Sequence, residues 1–152
     1  MASRILLISI NRCVSPDPVF PLGLAHINAA LRRAGHETRW VDCNVNGDSL
    51  LETLTGFQPD FVGISLRNID DVLIRQQETY YDGLATLRDT IRQHSRCPII
   101  LGGSGFSIFP EKLLALSHFV PLFFFDDVQC DAVDEFGFYL ARNVKGPVSA
   151  RM

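Results

Sequence analysis

The sequence predicts an α/β fold: a flavodoxin-like (Rossmann-like), doubly wound parallel sheet of five strands in the order 2-1-3-4-5. Three observations predict it. Short apolar runs of strand length alternate with amphipathic segments of helix length along the chain, which is the pattern of βαβ crossovers. Helices of that length carry the chain back along the sheet, so the strands run parallel and both faces are covered. Five such units fit the doubly wound order with its switch point between strands one and three.

The first strand is RILLISI, residues 4–10, β-branched and bounded by Asn11, Pro16 and Pro18. A proline-rich loop leads to the first helix, 21–36, with Pro21 at its start and Gly35 just past its end. Within it Leu24, Ile27, Leu31 and Ala34 recur at helical spacing, while Asn28, Arg32 and Arg33 face elsewhere. Residues 38–43 read as the second strand and 49–57 as a short helix with Ser49 as its N-cap. The third strand is 60–67, followed by a loop over 68–81 and a helix over 82–95 whose Leu84, Leu87 and Ile91 share a face. The fourth strand, 98–103, precedes an apolar ridge of Phe106, Ile108 and Phe109, and then a helix over 110–118. Residues 119–125 read as the fifth strand, 131–143 as a last helix and 144–152 as a frayed tail. No repeat, low-complexity tract or linker interrupts the pattern, so residues 1–152 read as one domain.

Apolar residues make up 47% and charged residues 20% of the 152, with a net charge of −3. That is globular composition, and without a basic stripe it argues against a nucleic-acid partner. The N-terminal apolar run is too short to span a bilayer and has no small-residue cleavage site, so the expectation is a cytoplasmic protein without a membrane partner. Cys13, Cys43, Cys97 and Cys130 are widely spaced, as expected of reduced thiols rather than disulfides or a zinc site.

In this fold the ligand lies outside the carboxyl ends of the strands, which selects the loops 11–20, 67–79 and 102–109. Several chemistries fail there. The first loop has no G-x-G-x-x-G, and GGSGFSI carries Ile108 where its last glycine should stand. A phospho-receiver wants acids after strand one, an aspartate after strand three and a lysine after strand five; Asn11, Ser65 to Arg67 and no lysine occupy those places. Ser104 matches a nucleophile elbow only loosely, since Phe106 breaks the spacing, and His26, His36, His94 and His118 lie on or beside helices. A flavin phosphate loop would have only Ser15 after strand one.

Three stretches carry a resemblance: PLGLAHINAALRRAGHETRWVDCN (21–44), DFVGISLRNIDD (60–71) and PIILGGSGFSIFPEKLL (98–114). Together they resemble the cobalamin-binding N-terminal domains of radical S-adenosylmethionine enzymes. The resemblance covers residues 4–118; the last two stretches are specific to it and the first is common among cobalamin-binding relatives. It implies cobalamin as cofactor, its nucleotide tail threading down beside the sheet. Ser65 and the pair Gly102–Gly103 match the small hydroxyl and glycines that leave room for that tail, though the glycines also suit a plain turn. A bulky residue at Gly103 is then expected to block the tail while sparing the fold. The full binding set implied is Ser65, Leu66, Arg67, Asn68 and Asp70, with Gly102, Gly103, Ser104, Gly105, Phe106 and Phe109.

The D-x-H-x-x-G motif that supplies a histidine to cobalt is missing, so the resemblance implies cobalamin bound without a lower histidine. Arg67 would lie beneath the corrin, where its permanently protonated guanidinium has no lone pair to give. Asn68 and Asp70 would hydrogen-bond the corrin's amide rim. The alternative for Arg67 is a surface salt bridge with Asp70 or Asp71. Phe106, Ile108 and Phe109 pack either on the ligand or in the core beneath the fourth helix.

Family members continue into a barrel whose C-x-x-x-C-x-x-C loop binds an iron–sulfur cluster. That motif is absent here, so no iron–sulfur cluster and no catalysis by this chain alone are expected, and a barrel domain or subunit is the expected partner. The resemblance fades after His118, which leaves open whether the chain stands alone or is a fragment. There Phe123 to Phe125 form either a buried strand or a patch sealing a homodimer. The readings left open are a cobalamin module serving methyl transfer or radical chemistry, an interaction domain of the same fold without a cofactor, and, more distantly, a flavin protein.

Overall fold

The computed structural model describes residues 2–12, 17–67, 80–108 and 120–121. In chain order these form β1 (Arg4–Ser9), α1 (Leu22–Arg33), β2 (Glu37–Asp42), α2 (Leu50–Phe57), β3 (Phe61–Ser65), α3 (Tyr80–His94), β4 (Ile99–Gly102), α4 (Ser104–Ile108) and β5 (Val120–Pro121). The strands make one sheet in the order β2-β1-β3-β4-β5, every neighbouring pair parallel. This is the doubly wound, flavodoxin-like architecture.

β1 is central because it is apolar on both faces: Ile5, Leu6, Leu7 and Ile8 are all buried. Leu6 and Ile8 join Val62, Ile64 and Leu101 beneath α2 and α3, whose Leu54, Phe57, Leu84, Leu87 and Ile91 complete that cluster. Ile5, Leu7 and Ile100 face the other way, onto Leu24, Ile27 and Leu31 of α1. Each fully buried aliphatic side chain contributes about 1.5–3 kcal/mol, so alternate residues of one strand hold helices on both sides.

α1 ends where its punctuation says. Gly35 takes φ +86, its N–H donates to the Arg32 carbonyl, and the His36 N–H reaches back to the Leu31 carbonyl. These are the two hydrogen bonds of a Schellman motif.

Two local expectations change in detail. Ser49 holds the N-cap position of α2 as expected, but its side chain does not cap the helix: it closes a 3₁₀ turn, Gly47–Ser49, and its hydroxyl donates to the Asn46 carbonyl at 2.7 Å. Residues 104–108, expected to belong to the loop 102–109, instead form a short helix directly behind Gly103. Gly103, at φ +102, turns the chain out of the strand within one residue, and the Phe106 N–H then donates to its carbonyl. Phe106 therefore lies within the helix. The loop expected over 68–79 and the helices expected over 110–118 and 131–143 lie outside the described residues, as do Phe123 to Phe125 and the tail.

Candidate functional site

Strand register builds the site. Ser9, Ser65 and Gly102 are paired at the carboxyl ends of β1, β3 and β4, and one row below stand Leu7, Gly63 and Ile100. Paired residues of neighbouring strands point to the same face, here the face that carries α1. Down β3 that face bears only Ser65 and Gly63, a trough of near-bare backbone between Leu7 and Ile100. A cleft of about 290 Å³ opens along it, walled by Leu24 and Ile27 of α1 and rimmed by Asn11, Asn44, Arg67 and Ser104. Its floor is apolar and its upper edge polar.

Hydrogen bonds join the rim loops. The Arg67 N–H donates to Asn11 Oδ1 at 2.6 Å, and the Ser104 hydroxyl donates to the Arg67 carbonyl at 3.0 Å. The Leu66 N–H donates to the Gly102 carbonyl, and the Gly105 N–H to the Leu66 carbonyl. Asn11, 4% exposed, is thus a buried polar residue put to structural use. Arg67 is the one charged side chain among the described lining residues.

The glycines behind β4 serve this stitching directly. A Cβ on Gly103 would stand 2.4 Å from the Leu66 carbonyl oxygen, and one on Gly105 3.0 Å from the same atom. The empty space at Gly103 faces backbone of the neighbouring loop, so the expectation that a bulky residue there spares the fold is corrected.

Ser65, Arg67, Gly102, Gly103 and Ser104 line the cleft. Leu66 and Phe106, 1% and 0% exposed, are packed in the core on the opposite face, beside α3. Gly105 is buried under Leu66 and Arg67. Phe106 belongs to the hydrophobic core, and the trough is not filled by its ring. Asn68, Asp70 and Phe109 lie outside the described residues, as does the Ile108 side chain.

Sequence reasoning reached Asn11 only as part of the loop 11–20 and missed Ser9, Asn44 and Gly63, together with the wall formed by α1. Gly63 offered a signal, because a glycine inside a strand marks a close approach. The others become neighbours only through register.

The arrangement can hold a ligand, and it pairs no nucleophile with a base among the described residues. The Ser104 hydroxyl is engaged with the Arg67 carbonyl. His36 Nδ1 accepts from the Ser3 N–H, His94 Nδ1 contacts the Thr90 carbonyl, and no histidine among the described residues lines the cleft. Burial pushes the Cys43 thiol up, with Arg12 opposing, so it is a poor thiolate nucleophile.

A family model described as the B12 binding domain matches residues 8–126. The chain is 31% identical over 101 residues to the tryptophan 2-C-methyltransferase of Streptomyces laurentii, covering 64% of this chain and 17% of that protein. It is also similar to the radical S-adenosylmethionine methyltransferase TsrM from Kitasatospora setae, solved with cobalamin and a 4Fe–4S cluster bound. There the TM-score is 0.64 and identity 27%, over 76% of this chain and 21% of that one. A response regulator from Burkholderia multivorans is 15% identical with a TM-score of 0.52, covering 99% of this chain and 100% of its own; that likeness is one of fold alone. The chain spans about a fifth of the length of the two methyltransferases.

Proposed function

Because the chain belongs to the B12-binding domain family, we propose that it is the corrinoid-holding module of a radical S-adenosylmethionine methyltransferase system. It binds cobalamin at the carboxyl edge of the sheet and works with a barrel domain or subunit that carries the iron–sulfur cluster. The similarity to two methyltransferases, one of them solved with cobalamin bound, supports that assignment.

The observation that carries the reading is the trough. Ser9, Ser65 and Gly102 across the upper row, with Gly63 below, leave a channel along β3 that larger side chains would fill. The residues present fit a corrinoid whose nucleotide arm descends there. Ser65 and Ser9 offer hydroxyls beside the arm, and Leu7, Ile27 and Ile100 give its buried end an apolar bed. Bound cobalamin supplies cobalt as a carrier of a methyl group. Arg67 would hold the corrin face turned toward the protein; a guanidinium has no lone pair to donate, so this residue would bind the ring without ligating its metal. Asn68 and Asp70 complete the reading at the amide rim. A cytoplasmic setting accords with the free thiols Cys43 and Cys97.

Purified protein is mixed with hydroxocobalamin, desalted and scanned in the visible. Retention of the pink chromophore at near one equivalent is expected; colourless protein would refute the assignment.

A further inference from the structure

We propose that Val19 and Leu22 form a lip on which the corrin ring rests, with Leu22 as its main contact. The proposal rests on the cobalamin reading above. Leu22 opens α1 and stands apart from the buried stripe of that helix. Leu24, Ile27 and Leu31 face the sheet; Leu22, two positions before Leu24, lies about 200° around the axis from it and stays 61% exposed. Its backbone is held, since the Leu22 N–H donates to the Phe20 carbonyl at 2.9 Å and the Ala25 N–H to the Pro21 carbonyl at 3.1 Å. α1 runs back against the direction of β1, so its first turn stands at the carboxyl edge of the sheet. Helical side chains lean toward the helix start, and there Leu22 borders the cleft.

Single apolar side chains on a surface are common and need no explanation. The cleft is what gives these two a meaning. Val19, 42% exposed, and Leu22 both line it while open to solvent, so a ligand at the mouth can reach them. The cleft holds about 290 Å³, at the low end of the range of about 300–1,000 Å³ that serves drug-sized ligands. A corrinoid is far larger than those ligands. Its arm fills the cleft, and the ring is left over the mouth. That mouth has two characters: Asn11, Arg67 and Ser104 at the strand ends are polar, whereas Val19, Pro21 and Leu22 at the start of α1 are apolar. A corrin carries ring methyls and methylenes between its amide arms. Its hydrocarbon is covered by the lip, and covering the lip in turn removes apolar surface from water.

The test compares wild type with Leu22→Ser, Leu22→Met and Leu51→Ser by visible-absorbance titration. Leu51 is the control, an apolar residue 48% exposed that does not line the cleft. The probes are hydroxocobalamin and diaquacobinamide, which keeps the ring and lacks the nucleotide; thermal unfolding of the ligand-free proteins is measured alongside. Leu22→Ser should bind both corrinoids about 3- to 30-fold more weakly and unfold with wild type, because its side chain is largely outside the core. Leu22→Met should restore the affinity, and Leu51→Ser should leave it unchanged. Leu22→Ser affinities within twofold of wild type overturn the proposal, as does an equal loss in Leu51→Ser or weakening matched by earlier unfolding of the ligand-free protein. A loss confined to hydroxocobalamin, or wild type with no affinity for cobinamide, would move the contact to the arm and overturn a seat for the ring. Wild type that binds neither corrinoid would bring down the cofactor assignment itself.

Discussion

Ser65 and Gly103 both border the cleft, but the bulk each lacks would meet different neighbours. The Ser65 side chain lies on the trough floor beside Gly63 and Gly102, whereas a Cβ on Gly103 would strike the Leu66 carbonyl. The two positions therefore predict opposite phenotypes. Ser65→Phe should keep its circular dichroism melt, since strands accept aromatics, and lose cobalamin retention through desalting. Gly103→Ala should lose about 1–3 kcal/mol of stability in a urea titration, with or without ligand, because φ +102 and the backbone contact both oppose it. A Gly103→Ala protein of wild-type stability would mean that the glycine serves the ligand alone. The GGSG stretch was conspicuous in the sequence, but the meaning of each glycine was not. The distances that separate turn from channel belong to Leu66, more than thirty residues away.

Among the elements, β1 and the end of α1 are joined by an imidazole. The Ser3 N–H donates to His36 Nδ1 at 3.2 Å, and burial lowers the affinity of His36 for a proton. The unfolded chain takes up that proton more readily than the folded one, so the stabilising share of this contact is intact above an ordinary histidine pKa of about 6.5. It is lost as the pH falls through the lower value of the folded state. Unfolding midpoints measured across pH 7 to 5 should fall for wild type, and fall less steeply for His36→Gln; identical slopes would discount the contact. α1 was legible because Pro21 and Gly35 punctuate it and nothing remote competes. α2 was legible together with its N-cap position at Ser49, but not the partner of the Ser49 hydroxyl, which donates to a carbonyl in the preceding turn. The helical turn Ser104–Ile108 was read as loop because a glycine cluster and a following proline look like loop, while its start is secured by the carbonyl of Leu66, just past β3.

For the molecule as a whole, strand order followed from the alternation of elements, and the carboxyl edge followed from strand order. The cleft did not, because the pairing of Ser9 with Ser65 and Gly102, and of Leu7 with Gly63 and Ile100, is set only when three distant segments come into register. A cleft formed by the assembled sheet and α1 couples occupancy to global folding. Cobalamin at a hundredfold excess over its Kd should therefore add about 2.7 kcal/mol, roughly 5–10 °C in thermal midpoint for a protein of this size. No shift under saturating ligand would contradict binding to the folded state.

Trp40 is the only tryptophan in the chain. It lies on β2 in register with Leu7 of the cleft, its ring 5.7 Å from that of Phe20. Cobalamin absorbs where indoles emit, so an occupied cleft would drain Trp40's fluorescence by energy transfer. The protein carries its own optical gauge of loading, one that needs neither a label nor turnover and that Trp40→Phe would silence.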